Sequence, residues 1–406
     1  MRVWKGAKRD ESALWNLRRA TDRDKRPIMS ILRAISLSRN DLPAFAVQGI
    51  YWGAFAAYVP QIKAYIGASD GEFGLAMLVT ATGAVTAMLS APVFAARFGR
   101  YAVTLASVLL ALAFQAPMWV ASVPVFAALM FFAGAGSGLQ DVVMNTRLSR
   151  TESRLGASLM NLNHAMFSFA YAASAISAGL AREAGLPPAP VFAVLGVLTL
   201  IASAFMMSSD GAESHGTAKA ARGRFGGVVM WGGLIVLVAF LAENATEGWS
   251  ALHVERTLGG GAAEGALGPA MLGLTMGIGR FTGQLVVGRL SETRVVFWSA
   301  LVTACGALLV AIAPAPLVAY AGFAILGLGV STIAPMLLAL AGRLASDDAR
   351  AYVISRVTTI GYFGFFIGPP VMGFIAQGFG LRVSFGFVAL LLLMIPGFLT
   401  LMRRAG

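Results

Sequence analysis

The sequence predicts an all-α integral membrane protein of twelve transmembrane helices, arranged as two pseudo-symmetric six-helix bundles. Three observations predict it. Charged residues are 12% of the 406-residue chain and hydrophobic residues 57%, whereas an average soluble domain is about 25% charged. Apolar runs of about twenty residues recur along nearly the whole length, each long enough to cross a hydrocarbon layer of about 30 Å as a helix. Lys and Arg fall almost entirely on one side of the membrane that these runs define.

Residues 1–41 are polar and basic, with no signal-peptide core near the start. They read as a cytoplasmic tail. Trp4 and Trp15 stand among its Lys and Arg, which leaves both a disordered leader and an anionic-lipid contact open. Twelve apolar segments follow, at about 43–66, 72–95, 101–120, 123–146, 157–181, 187–208, 226–248, 264–288, 294–313, 316–340, 350–377 and 381–402. Gly and Ala are frequent inside them, as where membrane helices pack closely. Between the sixth and seventh, SSDGAESHGTAKAARGRFGG (208–227) breaks the pattern. The chain therefore divides into the tail, a first bundle (42–208), a cytoplasmic linker (209–225) and a second bundle (226–406). The single cysteine, Cys305, lies in an apolar run, so no disulfide framework exists.

The basic residues test this topology. With both termini cytoplasmic, the outer loops hold only Lys63, Arg182, Arg256 and Arg382 of the 31 Lys and Arg. Arg280 and Arg356 fall inside apolar segments, and all the others lie on the inner side. This is the positive-inside bias. It accounts for the net charge of +12 with no nucleic acid as partner.

The halves share a signal. FAARFGRYAV follows the second segment and LVVGRLSETRVV the eighth, placing Arg97-Phe98-Gly99 and Arg289-Leu290-Ser291 at matching short inner turns. A duplicated six-helix unit is an architecture used by secondary transporters.

On these turns the sequence resembles the major facilitator superfamily, from about residue 42 to the end. The family's inner signature is Gly-x-x-x-Asp-Arg-x-Gly-Arg. Here Arg97, Gly99 and Arg100 match it, but Pro92 and Ala96 replace the Gly and the Asp, so the usual charge latch of that loop is incomplete. Four stretches resemble one bacterial branch more narrowly, the fucose-permease-like inner-membrane proteins, which include proposed importers of copper and of riboflavin. They are VPQIKAYIGASDGEFGLAML (59–78), GLQDVVMNTRLSRTESRLGASLMNLNHAMFS (138–168), FLAENATEGWSALHV (240–254) and GYFGFFIGPPVMGFIAQ (361–377). The resemblance implies a midplane cavity between two bundles, alternating access, and a location in the bacterial inner membrane. The Gly-Pro motif of proton-coupled exporters is missing from YAASAISAGLARE in the fifth segment, and Gly368-Pro369-Pro370 stands in the eleventh. That favours uptake.

An ionisable side chain in a membrane helix costs on the order of 2.5–3.5 kcal/mol on insertion scales, so it faces a cavity or a partner. In the fourth segment Asp141 and Asn145 share a face with Gly134 and Gly138. Asp141 is either an inner-end latch to Arg147 or Arg150, or a proton or substrate group. In the fifth, Asn161, His164, Ser168 and Tyr171 form one polar stripe, with Phe167 beside it; His164 is either tied to a neighbouring helix or lines the cavity. In the seventh, Glu243 lies toward the outer side and Glu247 at the water interface. Arg280 in the eighth needs a counter-ion. If that is Glu243, the pair is a structural lock; if not, Glu243 is a proton-coupling group. Gln48, Tyr51, Phe55 and the adjacent Trp52 in the first segment, with Arg356 and Tyr362 in the eleventh, suit either packing or a pocket for a polar or heteroaromatic solute.

Together these residues predict a proton-coupled secondary transporter of a small solute, with protons and the lipid bilayer as its other partners. It is expected to act as a monomer, without cofactors and not as an enzyme. There is no Gly-x-x-x-x-Gly-Lys-Ser/Thr to bind ATP. Proton-coupled efflux and Cu(I) import are the alternatives, the second because Met160, His164 and Met166 offer thioether and imidazole. Against copper, the paired Met-x-x-x-Met and His-x-x-x-Met that copper-importing relatives carry are missing from the seventh and eighth segments.

Overall fold

The computed structural model describes residues 31–207, 226–287, 290–346 and 349–405. The linker at 209–225, Arg289 and most of the N-terminal tail lie outside the described residues. Within them the fold is helical, with no strand. A short helix, α1 (Ile31–Leu37), precedes twelve long ones. The first six of these are α2 (Leu42–Tyr65), α3 (Asp70–Phe98), α4 (Ala102–Ala113), α5 (Val123–Leu155), α6 (Met160–Glu183) and α7 (Pro188–Ser203). The second six are α8 (Gly226–Leu252), α9 (Ala262–Val287), α10 (Glu292–Ile312), α11 (Pro316–Leu344), α12 (Arg350–Phe379) and α13 (Leu381–Ala405).

Among the described residues eight stretches are long and apolar enough to cross a membrane, one of which, Asp70–Trp119, holds both α3 and α4. The other three long helices fall short for physical reasons. α7 has only 16 residues. α6 and α9 carry His164 and Arg280 and pack on each other, so their polar groups face protein and not lipid.

Local chemistry sets the helix ends. Ser69 accepts from the Glu72 N–H while the Glu72 carboxylate accepts from the Ser69 N–H, a reciprocal cap that starts α3. Gly156 closes α5 at φ 61°, a left-handed conformation that glycine adopts without a Cβ clash.

Small residues then let backbones touch. A Cβ at Gly134 would collide with the Thr80 carbonyl, and one at Gly138 with the Ala84 carbonyl. The Gly-x-x-x-Gly of α5 is therefore the surface on which α3 lies. Gly49 and Gly53 of α2 do the same against the backbone of α6 at Phe167 and Tyr171.

The two ends of the molecule differ. Asn40 meets Met207, and Gly227 meets Ala405, which defines a terminal end. There the ion pairs Asp41–Arg147 and Glu292–Arg343 each stay within one half. At the opposite, distal end the bonds cross between halves. Arg256 donates two hydrogen bonds to Asp70, of 2.8 and 2.7 Å. Arg182 donates to both oxygens of Glu255, at 2.7 and 3.0 Å. The Gly71 N–H donates to Gln377 Oε1 at 2.9 Å. Beneath these bonds α3 lies against α12, where a Cβ at Gly74 or Gly373 would strike the other helix's backbone.

Candidate functional site

A cavity of about 300 Å³ lies between the halves, within the size range of small-molecule sites. α2 contributes Gln48, Trp52 and Phe55 to its wall, α5 contributes Ser137 and Asp141, and α6 contributes His164, Phe167 and Tyr171. From the second half come Glu243, Asn244 and Glu247 of α8, Arg280 of α9, and Tyr362 and Phe365 of α12.

Two polar chains run along these walls. In the first half, Asn145 donates through Nδ2 to Asp141 Oδ1 at 2.9 Å. Its Oδ1 is then the acceptor for His164 Nε2, 3.2 Å away. Phe45 packs edge-on against the His164 ring. The second chain joins the halves. Arg280 donates through Nη2 to Glu243 Oε1 at 3.2 Å and through Nη1 to Ser168 Oγ at 2.8 Å. Nearby, Trp52 Nε1 donates to Ser137 Oγ at 3.0 Å.

Aromatic rings stand in two groups at this wall, with Phe114 buried behind the first. Trp52, Phe55 and Phe114 contact one another in the first half, and Phe240, Tyr362 and Phe365 do so in the second. A pocket with an apolar body and a few placed polar groups is a site for a small organic solute.

The Major Facilitator Superfamily family model matches residues 42–321 and 233–405. The chain belongs to that family. Its relatives agree. An uncharacterized transporter of the same superfamily from Yersinia pestis is 32% identical over 354 residues, covering 86% of this chain and 91% of that protein. The membrane protein MosC of Rhizobium meliloti is 26% identical over 350 residues, covering 85% and 84%. A bacterial homolog of the human lysosomal transporter Spinster, solved inward-facing and occupied, superposes with a TM-score of 0.73 at 13% identity, covering 93% of this chain and 98% of that one. A D-xylose–proton symporter gives 0.68 at 14% identity, covering 90% and 97%. Those two likenesses show the fold alone. As a member of this superfamily the chain is a transporter and not an enzyme.

Within this fold several predicted residues sit elsewhere. Tyr51 is fully buried in the first half against Phe114 and Phe192, not on the cavity. At 100° per residue it stands a quarter-turn from Trp52, which aims it into the bundle. Asn161 is not on the cavity wall. Its neighbour Asn163 is buried, donating to Ser38 Oγ and the Leu159 carbonyl. Ser168 reaches the site through Arg280. Arg356 is exposed near the start of α12, 5.3 Å from the Tyr352 ring, and has no acidic partner among the described residues.

The latch from Asp141 to Arg147 does not form. Arg147 instead binds Asp41 at 2.6 Å and the carbonyls of Asn40 and Met206. The copper trio does not converge, because Met166 points about 200° around α6 from His164, and neither Met160 nor Met166 is on the cavity wall. Glu247 corrects the other way, since it lines the cavity and is not at the water interface. Arg97 and Arg100 are exposed around Gly99, Arg97 beside Phe98 and Arg100 on the Tyr101 hydroxyl.

Proposed function

We propose that this protein is a proton-coupled importer of a small polar or heteroaromatic solute, working by alternating access. The observation that carries it is a cavity walled by both halves, tied shut across its distal end by Asp70–Arg256 and Arg182–Glu255. The basic bias of the chain supports an inner-membrane orientation with both termini cytoplasmic, so the distal end faces outward. The resemblance to the fucose-permease-like branch, and the missing Gly-Pro of exporters, support uptake.

The pairing of Glu243 with Arg280 makes it a lock between α8, α9 and α6. The coupling role then falls to Asp141, whose partner is the neutral Asn145. An uncompensated carboxylate inside a membrane costs several kcal/mol, so it holds a proton unless a cation arrives. Asn145 and His164 extend from Asp141 as a hydrogen-bonded chain that fixes the orientation of its carboxyl group.

The test is proton flux in proteoliposomes loaded with the pH dye pyranine and given monosaccharides, nucleosides, amino acids and indole amines in turn. A substrate should acidify the lumen as it enters, and Asp141→Asn should abolish the acidification while exchange of the solute persists. Entry with undiminished proton flux in Asp141→Asn would remove Asp141 from the mechanism. Entry indifferent to the pH gradient would remove coupling altogether.

A further inference from the structure

We infer that the solute is an organic cation carrying a flat aromatic ring, with its ammonium or amidinium group held by Glu247. This rests on the transporter reading above and names the chemistry of its cargo.

The guanidinium of the cavity and two donors at or near its wall are already spent on the protein. Arg280 serves Glu243 and Ser168, Trp52 serves Ser137, and Asn145 serves Asp141. The acceptors are not. Among the described residues Glu247 makes no hydrogen bond or ion pair. Gln48 is 8% exposed and its Oε1 has no donor. Tyr171 is 1% exposed and its hydroxyl has no partner. All three line the cavity. Buried polar atoms are almost always satisfied; Gln48 Oε1 and a Glu247 carboxylate can only accept, and the Tyr171 hydroxyl can accept as well, so a group rich in N–H donors fits all three.

Charge points the same way. Arg280 neutralises Glu243. Glu247 lines the cavity with no cation of its own, so, by the rule applied to Asp141, only an arriving cation can hold it as a carboxylate. An anion or a sugar would bring it no counter-ion. The rings decide the rest. Trp52 and Phe55 line the cavity from the first half, and Phe240, Tyr362 and Phe365 line it from the second. Two π walls beside a carboxylate suit a flat ring with an attached positive charge, which gains both stacking and cation–π attraction.

The experiment uses three indoles that share the ring and carry a cationic, a neutral and an anionic head: tryptamine, tryptophol and indole-3-acetate. Binding of tritiated tryptamine to the purified full chain in detergent is measured, with the other two as competitors. Tryptophol and indole-3-acetate should each need about tenfold or higher concentrations to compete, the equivalent of one lost charge contact. Glu247→Gln should weaken tryptamine about tenfold and leave tryptophol unchanged, while Glu247→Asp restores part of the preference. A purely structural role for Glu247 would shift all three ligands together. Equal or better competition by tryptophol or indole-3-acetate, or no saturable tryptamine binding to folded protein, overturns the inference. Exchange of tritiated tryptamine across proteoliposomes separates the two readings. Binding without exchange would refute transport and leave the cation site standing. Exchange with no preference for the charged indole would refute the cation site and leave transport standing.

Discussion

Neutralising Asp70 should open the distal end. Its side chain is 6% exposed and accepts both hydrogen bonds from Arg256, which belongs to the other half. Charge-assisted bonds contribute about 1.5–3 kcal/mol each. Arg256 is 43% exposed, so solvent screens a large part of that. Lys63, 3.0 Å away on the same half, does not hold the halves together. Asp70→Asn keeps an acceptor and loses the charge, which leaves a net loss of about 2 kcal/mol for the closed distal end. That is about a thirtyfold gain in the population open to the distal side. Gly248 is a clean reporter, since it lines the cavity and a Cβ there meets nothing within 4 Å. In a Cys305→Ala background, Gly248→Cys is labelled with a membrane-impermeant maleimide supplied from the distal face. The rate should rise between tenfold and a hundredfold in Asp70→Asn. A change of less than about twofold would mean that the glycine contacts, not the ion pair, keep that end shut.

Three further outcomes follow from the packing. Gly53→Ala should lower the thermal midpoint in detergent by the equivalent of about 1–3 kcal/mol, because its methyl meets the Tyr171 carbonyl, whereas Gly248→Ala should be neutral or slightly stabilising. Arg147→Ala should cost about 3–5 kcal/mol, since it takes the guanidinium from Asp41, 5% exposed; Asp41→Asn alone should cost less, and unfolding of the two singles and the double measures the coupling. Arg356→Gln should change stability by less than about 0.5 kcal/mol, because the side chain is exposed; a large drop in midpoint or in solute uptake would show a partner for it in another conformation.

The spans were legible because membrane helices need about twenty apolar residues whatever their tertiary setting. Of the polar stripe of α6, His164 and Tyr171 line the cavity and Ser168 meets Arg280, whereas Asn161 is not on the wall; polar groups at that depth need company. What failed was orientation and depth. α2 is buried on nearly every side, so its sequence marks no single cavity face, and Tyr51 looked equivalent to Trp52. The sequence places Glu247 near water because the apolar run ends at about 248. The helix in fact runs to Leu252 and continues as a π-helical turn over His253–Thr257, which draws Glu247 inward by more than a turn. Arg147 looked available to Asp141 from spacing alone. Its real partners, Asp41, Asn40 and Met206, are far away in sequence and come to it only through tertiary packing.

Pro369 and Pro370 lie inside α12, where neither can donate to the carbonyl four residues before it. The carbonyls of Phe365 and Phe366, two cavity residues, are therefore left without their usual helical donors. At this pair and on its distal side α12 is fastened to α3 of the other half, at Gly74 and Gly373. On the terminal side it packs on α8 of its own half, where a Cβ at Gly364 would strike the Leu237 carbonyl. A rod clamped to a different half at each end and notched between them has a preferred place to bend. Bending there breaks no backbone hydrogen bond, because the bonds that would resist it were never formed. The wall of the cavity thus carries its own joint, and Pro369→Ala with Pro370→Ala should stiffen it, slowing exchange of solute more than it weakens binding.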